Sequence, residues 1–270
     1  MRKMKLPYLL FAGLLATTAL TMTACGDDEE VFPVPVVTLS ASEFSGKTGE
    51  IATVTAMVNA PGGLKSLTIT KFLGTTPDPN YGTNGVKTFT HMEHTETYEL
   101  NAEGLTTPVR FNFTAEDETG QVGSADFLVT TEASVDFLLT TYNWQWKSKL
   151  GKCLASEDET EQILDCEKDN FFSFNADGSY ALDFGAITGT GGGTCDFDGF
   201  RAPAGWSLND DQTELTINAV NVFDPNDVQV QLYKITEATT TSLKATQTID
   251  LSVFGCIVYD WTFEFTAIPK

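Results

Sequence analysis

Arg110-Phe111-Asn112-Phe113-Thr114-Ala115, then Glu116 to Gly120, then Ala125-Asp126-Phe127-Leu128-Val129 is the stretch that decides the fold. Both runs alternate apolar with polar residues, the period of a strand with one buried face. The acidic, glycine-bearing segment between them is a turn, so the whole is a hairpin, placed to close a β-sandwich. Working outward, residues 36–132 offer about seven strands: Val36–Ser42, Ile51–Val58, Leu64–Phe72, Lys87–His91, Glu96–Leu100, Val109–Ala115 and Ser124–Thr130. Helical periodicity is almost absent beyond the first 24 residues, so the chain is expected to be all-β.

Thr131 to Asp136 reads as a short junction. Beyond it the composition changes, since all four tryptophans (Trp144, Trp146, Trp206 and Trp261) lie there. Residues 137–270 offer eight strands: Asn143–Leu150, Asn170–Asn175, Ser179–Phe184, Gly205–Leu208, Glu214–Asn221, Val228–Ile235, Ser242–Leu251 and Val258–Ala267. Ala176-Asp177-Gly178 marks one tight turn and Asn209-Asp210-Asp211 another. Eight antiparallel strands in this length suit an up-and-down barrel, either filled or holding one small ligand.

Two resemblances follow from these residues. The strand, Asp-x-x-Gly turn and final strand ending near Thr130 resemble bacterial immunoglobulin-like domains. Tyr142-Asn143-Trp144-Gln145-Trp146-Lys147, Cys166 to Asn170, Asp177-Gly178-Ser179-Tyr180 and Gly205-Trp206-Ser207-Leu208 resemble bacterial lipocalin-like domains. Tyr142 stands where lipocalins carry a glycine. The resemblances imply a sandwich over 36–132 followed by a lipocalin-like barrel over 137–270.

The N-terminus gives an address. Arg2, Lys3 and Lys5 precede an apolar run from Leu6 to Leu20, and Thr21 to Ala24 is small apart from Met22. This is the three-part plan of an export signal. Met22-Thr23-Ala24-Cys25 resembles a bacterial lipobox, which implies cleavage after residue 24 and acylation of Cys25 with fatty acids such as palmitate. The acids Asp27 to Glu30 resemble the surface-export signal of outer-membrane lipoproteins, and residues 25–35 read as a lipidated acidic tether. The expected location is therefore the outer membrane, exposed at the cell surface.

Removing residues 1–24 takes away three bases and no acids, leaving 13 basic and 37 acidic residues and a net charge of −24. Such a field repels nucleic acid, which is excluded as a partner. The remaining cysteines, Cys153, Cys166, Cys195 and Cys256, are an even set in an oxidising compartment, which favours two disulfides. Three connectivities exist. In a closed barrel Cys166 and Cys195 flank one hairpin, and the first and last strands bring Cys153 and Cys256 to one end. The expected pairs are Cys166–Cys195 and Cys153–Cys256.

No motif names a reaction. His91-Met92-Glu93-His94 lacks the spacing of a zinc helix, and its strand context would send the rings to opposite faces. Gly189-Thr190-Gly191-Gly192-Gly193 has neither the helix nor the lysine of a phosphate loop, and the acids of 157–161 and 224–227 do not follow a calcium loop. Each reads better as a solvated loop. No enzyme, metal or cofactor is expected. The positive feature is aromatic: Trp144, Trp146, Trp206, Trp261 and Tyr259 either fill the barrel or line a pocket for a glycan or small apolar ligand. The alternative is a structural, adhesin or accessory role with envelope protein partners and no small-molecule site.

Overall fold

A computed structural model describes residues 31–153, 157–187 and 201–270, with the backbone alone at 254 and 256–258. The export signal, Cys25 and the Gly189–Gly193 loop lie outside these residues.

The N-terminal half has nine strands: β1 (Val36–Leu39), β2 (Glu43–Lys47), β3 (Ile51–Asn59), β4 (Leu64–Leu73), β5 (Thr76–Pro77), β6 (Val86–Phe89), β7 (Glu93–Glu99), β8 (Val109–Asp117) and β9 (Val122–Glu132). One sheet runs β1-β3-β7. The other runs β2-β9-β8-β4-β5, with β6 also on β4. That is an immunoglobulin-like sandwich. The β8–β9 hairpin has the expected register, Phe111 against Phe127 and Phe113 against Ala125, with the phenylalanines turned into the core. Its turn is set by Asp117, whose Oδ1 accepts from the Thr119 amide, the Thr119 hydroxyl and the Gln121 amide. Gly120 closes the turn at φ +85°, a conformation open to glycine.

One expected strand was too long. Val36–Ser42 breaks after Leu39: β1 pairs antiparallel with β3, while β2 crosses over to run parallel with β9. A single strand could not satisfy both sheet edges. The tether is also partly docked. The Phe32 carbonyl accepts from Gln121 Nε2, and Pro35 lies so close to Gly123 that a Cβ there would meet its carbonyl at 1.8 Å. A short helix α1 (Glu103–Thr106) supplies Glu103, which with Asp78 holds the buried ammonium of Lys71 at 3.1 and 2.9 Å.

The junction is not the plain linker expected. It holds the helix α2 (Val135–Thr141), capped by Ser134, whose hydroxyl accepts from the Phe137 amide. Thr48 of the sandwich binds Ser134 at 2.9 Å, and Gln212 Oε1 accepts from the Val135 and Asp136 amides. Both halves thus grip one helix start. The tether and α2 meet opposite ends of β9, whose 11 residues span about 36 Å at ~3.3 Å each.

The C-terminal half contains β10 (Tyr142–Lys152), β11 (Thr160–Glu161), β12 (Phe171–Phe174), β13 (Tyr180–Asp183), β14 (Arg201–Leu208), β15 (Glu214–Asn221), β16 (Asp224–Ala238), β17 (Ser242–Leu251) and β18 (Cys256–Pro269). All eight expected strands are present. Asp224 to Asp227, expected as loop, instead begin β16, where Asp224 pairs with Asn221 of β15 ahead of a register shift, and the ladder resumes at Val228. The order is β13-β12-β10-β18-β17-β16-β15-β14, a meander closed where first and last strands pair, from Tyr142–Pro269 to Lys152–Asp260. Between β13 and β14 no ladder forms among the described residues. Trp206 bridges that seam: its amide donates to Gly178 at 2.9 Å and its indole to the Asn175 carbonyl at 3.0 Å. The barrel is therefore nearly closed.

Candidate functional site

Strand parity sends the aromatics inward. Trp144, Phe174, Trp206, Phe263 and Phe265 are buried together with Leu138 and Leu139, which α2 inserts from below. What remains is a cavity of about 20 Å³ beside Trp144, Trp146, Phe172, Tyr233 and Phe265. A single water needs roughly 10–15 Å³ on that scale, whereas ligand pockets run to several hundred. Among the described residues this part of the interior is filled, and Trp144 and Trp206 are buried core residues. Trp144 is wholly buried, and its Nε1 has no hydrogen-bond partner.

Trp146, Trp261 and Tyr259 sit nearer the rim and are partly exposed. Tyr259 and Trp261 lie 4.9 Å apart, and Tyr259 covers Gly151, where any Cβ would strike its ring. Lys149 was not foreseen. A bulge between Trp146 and Ser148 shifts the parity of β10 and turns Lys149 inward. Its ammonium stands 5.0 Å from the Trp261 ring and 5.8 Å from that of Trp146, and 3.5 Å from the mostly buried carboxylate of Glu167. The rim aromatics therefore carry a cation already, a favourable cation–π arrangement. Only the bulge could have revealed this, and a bulge leaves no mark in the alternation of residue types.

The acids expected in loops are engaged locally. Glu161 accepts from the Ser148 hydroxyl and the Lys149 and Ile163 amides; burial works against its charge, but these donors outweigh it and lower its pKa. Asp227 is lowered by the Asn221 side chain and then by Arg201. His91 and His94 depart from expectation. His91 lies in the bend before β7, so the rings approach to 5.8 Å instead of facing apart, and Phe89 stacks on His94 at 3.7 Å. Cys195 and the side chain of Cys256 lie outside the described residues. Cys166 is buried beside Glu167, and Cys153 follows the end of β10.

One feature of the barrel was wholly missed. Val228-Gln229-Val230-Gln231-Leu232 alternates, and such a pattern ordinarily puts its apolar set inside. Here Tyr233 and Ile235 pack into the core and impose the opposite parity. Val228, Val230 and Leu232 face solvent at 47%, 63% and 52% exposure.

No family description matches this sequence, and no curated protein matches it. Among solved structures, the titin domains z1z2 in complex with telethonin align with a TM-score of 0.28 and 10% identity, over 75% of this chain and 95% of that chain. A DUF4466 family protein from Parabacteroides merdae ATCC 43184 aligns with a TM-score of 0.29 and 10% identity, over 87% of this chain and 100% of that chain. Likenesses this low carry no argument about function, and the fold rests on the strand order itself.

Proposed function

We propose that this chain is a non-catalytic envelope lipoprotein, anchored through acylated Cys25 in the outer membrane and displayed at the cell surface. Its sandwich is a spacer and its barrel an interaction module for another envelope protein. The observation that carries this reading is the aromatic core of the barrel, which among the described residues leaves room for about one water beside Trp144, together with an apolar row turned outward on β16. The spacer reading is supported by the tether and α2 lying at opposite ends of β9. Two disulfides, Cys166–Cys195 and Cys153–Cys256, belong to the proposal. The antiparallel meeting of β10 with β18, the strands next to Cys153 and containing Cys256, supports the second of them.

All four tryptophans report on the barrel, so intrinsic fluorescence tests the module directly. Titration with fatty acids and oligosaccharides is expected to leave the emission unchanged. A saturable shift would return the barrel to small-ligand binding. The partly exposed Tyr259–Trp261 pair favours a second reading, glycan stacking at the rim. In that case the shift is confined to glycans and disappears in Trp261→Ala. Anchoring is tested by labelled palmitate, expected to enter the wild-type protein and not Cys25→Ala.

A further inference from the structure

The outward row on β16 coincides with an unpaired strand edge. On one side β16 is laddered to β15 from Val228 to Lys234. On the other, its pairing with β17 covers only Lys234–Thr246 to Ala238–Leu243. Were that register continued, Leu232 would face Thr248 and Val230 would face Asp250, yet no such pairs form. The backbone direction follows from alternation. The Ile235 amide donates to Thr213 on the β15 side, so Gln229, Gln231 and Tyr233 also point that way. The amides and carbonyls of Val228, Val230 and Leu232 point to the open side, and no strand takes them up among the described residues.

Native sheets guard such edges with lysines, prolines or bulges. Val228 to Tyr233 contains none of these, and its register with β15 is regular. A row of unpaired amides and carbonyls has one chemically matched occupant, an extended peptide backbone, with side-chain preference set by the exposed Val228, Val230 and Leu232. Charge decides against a second copy, since two chains of net charge −21 repel. It favours a basic partner, because Asp224 flanks the edge at one end and Asp250 stands on the opposing strand, while Asp227 is already paired with Arg201.

We infer that the free edge of β16 from Val228 to Leu232 receives a β-strand from another protein, an extended segment of alternating β-branched residues with a basic flank. The inference rests on the barrel being a protein-interaction module. It adds which surface is used and what chemistry is recognised.

The test uses the full-length protein in detergent and a synthetic probe, Lys-Lys-Val-Thr-Val-Thr-Val, followed by fluorescence anisotropy of a dye on the peptide. Saturable binding is expected. Methylating alternate peptide nitrogens, or replacing both lysines by glutamates, is expected to weaken binding at least tenfold. Val230→Pro removes an amide that no strand takes up among the described residues, and Val230→Lys adds an edge charge. Both are expected to weaken binding at least tenfold, and the lysine variant keeps the test valid if the proline variant misfolds. Absence of binding, or binding insensitive to peptide methylation and to Val230→Lys, would overturn the inference. Concentration-dependent dimerisation of the free protein that Val230→Lys abolishes would also overturn it, in favour of a second copy. If the peptide fails while tryptophan emission stays silent to glycans and lipids, only the edge is lost and the interaction module stands. If emission responds to them, the module reading itself falls.

Discussion

The sandwich and the barrel solve the same problem, burying one face of antiparallel sheet, with opposite economies. The sandwich packs aliphatic residues and three phenylalanines between two sheets, and it satisfies its one buried lysine with two carboxylates. The barrel closes one sheet around tryptophans, phenylalanines and a helix plug, leaves a seam bridged by Trp206, and leaves β16 paired on one side only from Val228 to Leu232 among the described residues. The sandwich's sheets also end in open strands, but β7 carries Glu93, Glu96 and Glu99 and β2 ends in Lys47. On β16 the open edge instead coincides with the exposed row Val228, Val230 and Leu232, and that difference is why the working surface is assigned to the barrel.

Reduction should break the comparison most strongly. Opening the proposed Cys153–Cys256 bridge would free a loop of roughly 100 residues, worth about 4–5 kcal/mol in a chain-entropy account. Calorimetry with reductant is expected to lower the barrel transition and leave that of the sandwich unmoved. Trp206→Ala should come next, at roughly 3–5 kcal/mol, since it removes both a large core side chain and the bond across the seam. Denaturant unfolding followed by far-ultraviolet circular dichroism would show whether only the barrel phase shifts.

In the sandwich, Asp78→Ala leaves Lys71 buried with Glu103 alone, and the cost should be about 3 kcal/mol. Acid sharpens the same point. The Lys71 ammonium beside Asp78, helped by the Asn80 amide, holds its carboxyl below the usual range, so its stabilisation is complete above pH 3.8 and is lost as pH falls through the depressed value. Asp117 behaves alike: burial works against its charge, but donors from Thr119, Gln121 and Gly120 prevail. The sandwich is therefore expected to lose stability steeply in acid below about pH 4. The smallest effect is Val230→Lys, an exposed change that should move stability by no more than about 0.5 kcal/mol while abolishing peptide binding.

Much of the fold was legible in the sequence wherever pattern and packing agree. Arg110 to Val129 alternates with its phenylalanines inside, and Ala176-Asp177-Gly178 turns where expected. The failures lie where one local preference is overruled by another contact. Val36 to Ser42 carries the pattern of one strand, but it bends at Ser40 and Ser42 between β1 and β2, which join different sheets. Asp224 to Asp227 carries turn residues, but the pairing of Asp224 with Asn221 makes it the start of a strand. Val228 to Leu232 carries the pattern of an inward face and is reversed because Tyr233 and Ile235 anchor the register. The rim cation Lys149 depends on a bulge that alternation does not encode. For the candidate site, the aromatic inventory was found, but whether it enclosed a space depended on α2, which the residues around Ser134 did not announce.

The central claim is that β16 is paired on one side and open on the other between Val228 and Leu232. Residue-resolved amide hydrogen exchange of the free protein measures this directly. Slow exchange at Gln229, Gln231 and Tyr233 with fast exchange at Val228, Val230 and Leu232 is the expected result. Uniform protection along the strand would show the edge already covered and would contradict the account.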